Sequence, residues 1–237
     1  MFKKSDKIQF ISTIEGLESL PEYLPKPAKS FIPEWFKNIP SSIENVTTVK
    51  NCPSFPDYFS QGYIIPMWCD VKLNSNGDSW SWNTPSSLVS WDVHGNEQFL
   101  DYTKTNFHGV EGQMVFKAIC PWRIITPPGW SVLQLPLFYH FNQDWSILPG
   151  VLDTDIHHEV NQQVLYHGNG RDVTINSGDP FVLYIPFKRS EKLKKEIRYQ
   201  NKEDKKLFSK QDYDRLSKFV PTNYYRDNQR KRDKGLS

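Results

Sequence analysis

From Thr47 to Phe187 the chain is cut into short apolar or alternating runs by turn residues that recur about every ten positions, which leaves little room for helical periods. The runs read as strands over 63–73, 80–82, 88–91, 115–118, 122–126 and 131–135, then over 160–166, 171–175 and 181–187. Their separators are turn chemistry: Asn74 to Asp78, Thr84-Pro85, His94-Gly95-Asn96, Pro127-Pro128-Gly129 and Gly178-Asp179-Pro180. Asn76-Gly77 supplies the positive φ angles of a tight hairpin, so a hairpin is expected across Tyr63 to Trp82. His167 to Arg171 reads as a second hairpin loop. Eight Trp, eleven Tyr and fifteen Phe against three Met favour pleated surfaces. The expected fold is mainly β, a β-sandwich or jelly roll over 47–187.

Two flanks differ from this body. Residues 1–46 form an arm whose stretch 21–40 holds five prolines among Tyr23, Phe31, Trp35 and Phe36. Proline excludes a long helix there, so the arm is expected to run extended with one helical turn near Pro33 to Lys37. Residues 188–237 form a basic tail with an amphipathic helical pattern in two pieces, ended by Pro221. The tail carries 17 Lys plus Arg against 8 Asp plus Glu, and the first 187 residues carry 12 against 19. That polarity marks either a tail folded on its own acidic body or a handle for a protein or other anionic partner, with nucleic acid as the weaker choice.

A chain of 237 residues buries enough surface to fold without disulfides or a structural metal. Cys52, Cys69 and Cys120 form no CxxC pair, which fits a reducing compartment. The first residues lack the apolar core of a secretory signal, and no apolar run reaches the length of a membrane span. The reading is a soluble intracellular protein.

Chemistry-bearing residues are sparse. Asp153 to Glu159 holds three carboxylates and two imidazoles, and in an extended strand Asp155, His157 and Glu159 face one way. That geometry resembles the His-x-Asp/Glu element of facial-triad iron oxygenases, which makes a cupin-like enzyme using iron or another divalent metal the alternative reading. His167 stands too near to supply the further histidine that those enzymes place well downstream. The competing expectation is an internal ion pair from Arg123 to Asp153 or Asp155. His94 and Gln98 are ligand-binding candidates at a loop tip. Ser131 lacks a G-x-S-x-G elbow, and no phosphate-cradling loop is present, so serine hydrolases and nucleotide-driven enzymes have no support. Trp80, Trp82 and Trp91 read either as core or as a stacking platform for carbohydrate.

Four segments belong together: CPSFPDYFSQGYIIP at 52–66, PWRIITPPGWS at 121–131, LPGVLDTD at 148–155 and GDPFVLYIPFKR at 178–189. In combination they resemble an uncharacterised family of T4-like marine cyanophages, related to a bacterial domain of unknown function. The resemblance spans about residues 20–190. It implies a viral product in a cyanobacterial host cytoplasm or in the virion, and it brings no activity or catalytic residue. The function expected is a non-enzymatic binding or virion/assembly module.

Overall fold

The structure is a computed structural model that describes residues 7–87, 89–103, 112–190 and 195–217, together with 227, 230 and 231. In chain order the first strands are β1 (Gln9–Ser12), β2 (Lys26–Pro27), β3 (Ser42–Ile43), β4 (Val46–Thr47), β5 (Tyr63–Pro66), β6 (Val71–Ser75), β7 (Trp80–Asn83) and β8 (Trp91–His94). Then come β9 (Met114–Ala118), β10 (Trp122–Ile125), β11 (Trp130–Leu135), β12 (Trp145–Ile147), β13 (Gly150–Leu152), β14 (Gln162–Tyr166), β15 (Val173–Ile175) and β16 (Pro180–Lys188). Short helices α1 (Glu34–Asn38), α2 (Ser54–Phe59) and α3 (Leu100–Thr103) precede the longer α4 (Lys202–Leu216). The chain is mainly β, as its turn spacing predicts, with a helix after the sheets, and the strands β1 and β2 of its first 46 residues join those sheets.

Packing divides the chain into two units, Met1–Pro33 with Gln61–Glu191 and Glu34–Ser60 with Lys192–Ser237. The first holds a five-stranded antiparallel sheet in the order β13-β11-β16-β5-β2 and a four-stranded sheet β12-β14-β9-β8. A three-stranded sheet β15-β6-β7 and the pair β1-β10 complete it. Inward positions repeat every second residue: Met114, Phe116 and Ala118 on β9, Val164 and Tyr166 on β14, Val182 and Tyr184 on β16. These side chains join Trp91, Trp122, Trp145 and Phe181 in one core cluster. Phe181 meets Trp68 edge to face at 5.7 Å between ring centres and lies tilted against Trp145 at 5.4 Å.

One polar chain crosses this interior. Tyr184 donates its hydroxyl to Gln134 Oε1 (2.8 Å) and accepts from Gln162 Nε2 (2.7 Å), while Gln134 Nε2 donates to the Leu148 carbonyl (2.9 Å). All three side chains are buried, so each bond replaces water that has been lost. Burial lifts the Tyr184 hydroxyl pKa well above its ordinary value, and burial likewise pushes the Cys120 thiol up to about 11.

The second unit pairs α1 with α2 through rings. Phe36 stacks on Phe55 at 5.8 Å and meets Phe59 edge-on at 4.9 Å, with the Lys50 ammonium 5.0 Å from the Phe36 ring centre. The helical turn expected near Pro33 to Lys37 is α1. α4 opens with a capping box between Asn201 and Asp204.

Four expectations change. The run 63–73 is two strands in different sheets, because Pro66 removes a ladder donor and Met67 to Cys69 are buried in succession between sheets. The Asn76-Gly77 hairpin is therefore β6-β7 alone, paired from Ser75↔Trp80 to Lys72↔Asn83. His167 to Arg171 is a crossover, since β14 pairs with β9 and β12 while β15 pairs with β6. α4 is not amphipathic. Relative to Leu207, the side chains of Phe208, Tyr213 and Leu216 lie about 100°, 240° and 180° round the axis at 3.6 residues per turn, and all four are exposed. The expected first residue of the strand at 88–91, and most of the basic tail beyond α4, lie outside the described residues.

Candidate functional site

The residues that order the most informative surface sit where β11 and β16 run together. Their antiparallel register pairs Trp130 with Lys188 and Ser131 with Phe187. Because side chains alternate, Trp130 and Lys188 share the face of Val132, Tyr184 and Pro186, while Ser131 and Arg189 point to the opposite face. The two faces do different things.

On the outer face Arg189 organises a clamp. Its Nη2 donates to Asp155 Oδ2 at 2.6 Å, and its Nη1 lies 2.8 Å from Asp155 Oδ1, 2.8 Å from Ser131 Oγ and 3.1 Å from Asp153 Oδ1. Ser131 Oγ donates to Asp153 Oδ1 at 2.6 Å. The carboxylates reach this place because β13 pairs Leu152 with Val132, which sets the following turn beside Ser131. A second turn closes the group: Trp130 N–H bonds the Pro127 carbonyl, with Pro128 and Gly129 (φ 85°) at the two central positions of a type II turn. Gly129 N–H then donates to Asp155 Oδ2 at 2.8 Å. Hydrogen bonding to Arg189, helped by Gly129, holds the Asp155 carboxyl down at about 2. Its side chain is 6% exposed.

On the inner face the core alternation runs on past Tyr184 into an open cleft. Lys7, Ile8, Tyr63, Thr126, Pro127, Trp130, Pro186 and Lys188 line a volume of about 630 Å³. The Lys188 ammonium sits 5.5 Å from the Trp130 ring centre. Phe10 holds Tyr63 edge-on at 5.3 Å, and Thr126 Oγ1 donates to the Trp130 carbonyl at 3.1 Å while meeting Thr154 Oγ1 at 2.8 Å. Thr154 belongs to the clamp turn, so the two faces share their supports.

The residues singled out from sequence are distributed otherwise. Asp153 to Ile156 is a turn closed by bonds from the Ile156 and His157 N–H groups to the Asp153 carbonyl, so the extended strand that would align Asp155, His157 and Glu159 is absent. Asp155 faces Arg189, whereas Glu159 faces Arg123 at 2.7 Å. Arg123 is therefore paired, but with Glu159 rather than with Asp153 or Asp155, because Ile124 N–H bonds the His158 carbonyl and brings 159 alongside. Among the described residues no three His, Cys, Asp or Glu side chains are grouped to hold a metal ion.

His94 and Gln98 do meet, with Nδ1 3.0 Å from Oε1. His158 Nδ1 bonds the Thr154 carbonyl at 2.9 Å. His167 is held on both ring nitrogens, by Gln113 at 3.1 Å and Ser146 at 3.0 Å. The tryptophans make no common platform, since Trp91 is in the core at 4% exposure on β8 and Trp80 is 46% exposed on β7 in another sheet. Lys7, Tyr63, Trp130, Lys188 and Arg189 were not singled out from sequence, although the period-2 run Val182, Tyr184, Pro186, Lys188 carries the signal for an inward lysine.

Among the described residues no helix is long and apolar enough to cross a membrane. No family model matches the chain, and no curated protein matches it. Solved structures similar to it include the native dUTPase of EIAV, at 10% identity and a TM-score of 0.33, covering 60% of this chain and 86% of that one. A mutant of the Staphylococcus bacteriophage 80alpha dUTPase aligns at 9% identity and a TM-score of 0.39, covering 83% and 100%. A mutant dUTPase from phage phi11 of S. aureus aligns at 11% and 0.37, covering 82% and 99%. No residue role is transferred from any of them.

Proposed function

We propose that this chain is a phage-made binding module that takes its ligand in the cleft beside Trp130 and Lys188 and carries out no chemistry on it. The phage origin rests on the four segments whose combination resembles the cyanophage family. The binding reading rests on one observation: the clamp around Arg189 fixes the wall of a cleft whose own lining is aromatic, aliphatic and cationic. Such a wall is ordered before a ligand arrives, which lowers the cost of binding. A nucleophile with a base, or a convergent set of metal ligands, is what an enzyme of the alternative class needs. Asp155 and Glu159 instead each bind a different arginine.

Nuclear magnetic resonance with a general fragment collection on the full chain tests this reading. Hits are expected to perturb Trp130, Lys188 and Tyr63 as a group. Hits confined to other surfaces, or stoichiometric iron, manganese or zinc in the purified protein that is lost on Asp155→Ala, would remove it. Mass spectrometry of purified particles separates the two proposed settings, with the protein expected among virion components in a structural role and absent in a host-directed one.

A further inference from the structure

A second cavity lies at the far end of the β11–β16 pair. The register sets Trp130 against Lys188 at the cleft and Leu135 against Leu183 near the opposite end. Pro136, one residue past β11, therefore stands about 20 Å along the strand from Trp130. The loop that begins there joins Trp145, Ser146 and Pro180 around a space of about 300 Å³. Phe138 lines this space and is nevertheless 67% exposed. Its ring is held in place by its own loop, with Tyr139 edge-on at 5.3 Å and Phe141 at 6.3 Å. Phe141 reaches that position through a left-handed backbone, φ 52°, which a bulky residue adopts only at a cost. Core burial does not explain a ring braced in water in this way, whereas contact with a ligand does.

The polar side chains of the same lining share one property. His140, Asn142, Gln143 and Ser146 each carry both a donor and an acceptor. Asn142 Oδ1 accepts from the Asp144 and Trp145 N–H groups at 2.9 and 3.3 Å, which fixes the amide and leaves Nδ2 as its remaining donor. At Ser146 a relay decides the roles. Gln113 Nε2 donates to His167 Nδ1 at 3.1 Å, so the imidazole proton is on Nε2, which donates to Ser146 Oγ at 3.0 Å. The Ser146 hydroxyl keeps its own proton for another acceptor. Burial lowers the His140 pKa from its ordinary 6.5, so this ring stays neutral at pH 7.

We infer that this cavity, separate from the cleft beside Trp130, binds a single sugar ring. The C–H face of the sugar packs on Phe138, and its hydroxyls meet Asn142, Gln143, Ser146 and His140. A sugar hydroxyl donates and accepts at once, and so does each of these four side chains, so every pairing between them can form. A space of about 300 Å³ stands at the lower limit of small-molecule pockets, about 300–1,000 Å³, and holds one ring rather than several. The ring that carries the contact is a phenylalanine on the loop after β11, not a tryptophan of β7 or β8.

Nuclear magnetic resonance titration of the full chain with the methyl glycosides of glucose, galactose, mannose and N-acetylglucosamine tests this directly. Cyclohexanol is the control, a ring with an apolar face and one hydroxyl. At least one glycoside is expected to shift the Asn142 and Gln143 side-chain amides and the Trp145 indole saturably, and to bind at least about tenfold more tightly than cyclohexanol. Phe138→Ala is expected to weaken that glycoside at least about tenfold, while Phe138→Tyr, which keeps the ring, binds it as the natural chain does. If Phe138→Ala lowers the thermal midpoint, Gln143→Ala at an exposed lining position is read in its place, with a loss of at least about threefold expected. No response to any of the four glycosides overturns the inference, and so does equal binding of cyclohexanol. Undiminished binding by the folded variants overturns it too. Shifts confined to Trp130 and Tyr63 overturn it in favour of the Trp130 cleft alone.

Discussion

Tyr184 and Lys188 lie on the same face of β16, four residues apart, and have opposite surroundings. Around Tyr184 the pleated face is sealed, with every polar atom of the Gln134-Tyr184-Gln162 chain answered inside the protein except Gln162 Oε1. Around Lys188 the same face opens, and polar support comes from the reverse side through Arg189. Alternation alone thus places a residue on the inner face. Whether that face is core or cleft depends on what the neighbouring strands lay over it.

Truncation breaks this comparison most sharply. Tyr184→Ala is expected to cost about 3–5 kcal/mol, the range for removing a large buried ring. Denaturant unfolding reads this as a lower midpoint. Tyr184→Phe isolates the hydroxyl and is expected to cost about 1–3 kcal/mol, because Gln134 and Gln162 lose a buried partner. A silent Tyr184→Phe change would mean that water reaches this half of the face.

The clamp sharpens the comparison through pH. Hydrogen bonds from Arg189 and Gly129 lower the folded Asp155 pKa from 3.8 to about 2, so its contribution to stability is complete above about 4 and is lost as pH falls through about 2. The stability difference between the natural chain and Asp155→Asn is therefore expected to be level near neutrality and to close between those two values. A difference that stays constant down to pH 2 would show that the carboxylate charge is not what the clamp uses. The smallest effect is expected at the open end, where Lys188→Ala should change stability by less than about 0.5 kcal/mol, as surface substitutions do.

Much of this was legible in the sequence, and the failures have physical causes. β9, β10, β11, β14, β15 and β16 fall within a few residues of the runs that alternation picks out, because each presents one face to a continuous core. β12 and β13 have three residues each and leave too short a record for any period to register. The Asn76-Gly77 turn was readable because Gly77 needs its positive φ locally. The cluster at 153–159 misled because a count of ligand-type residues says nothing of their cations. Arg189, just after β16, and Arg123 on β10 are each some thirty residues away along the chain, and only the pairing of β11 with β13 and β16 brings Asp155 to Arg189. The lysine of the cleft was visible as an inward position, yet its ring partner Trp130 became its neighbour only through cross-strand register.

The most direct measurement follows the indole N–H resonances of the eight tryptophans during addition of the hits from the general fragment collection. Trp130 is expected to shift progressively and saturably, while buried Trp91 and Trp122 hold their positions. A spectrum in which Trp80 moves instead, or in which no indole responds, would contradict the claim that the inner face of β16 opens into the ligand site.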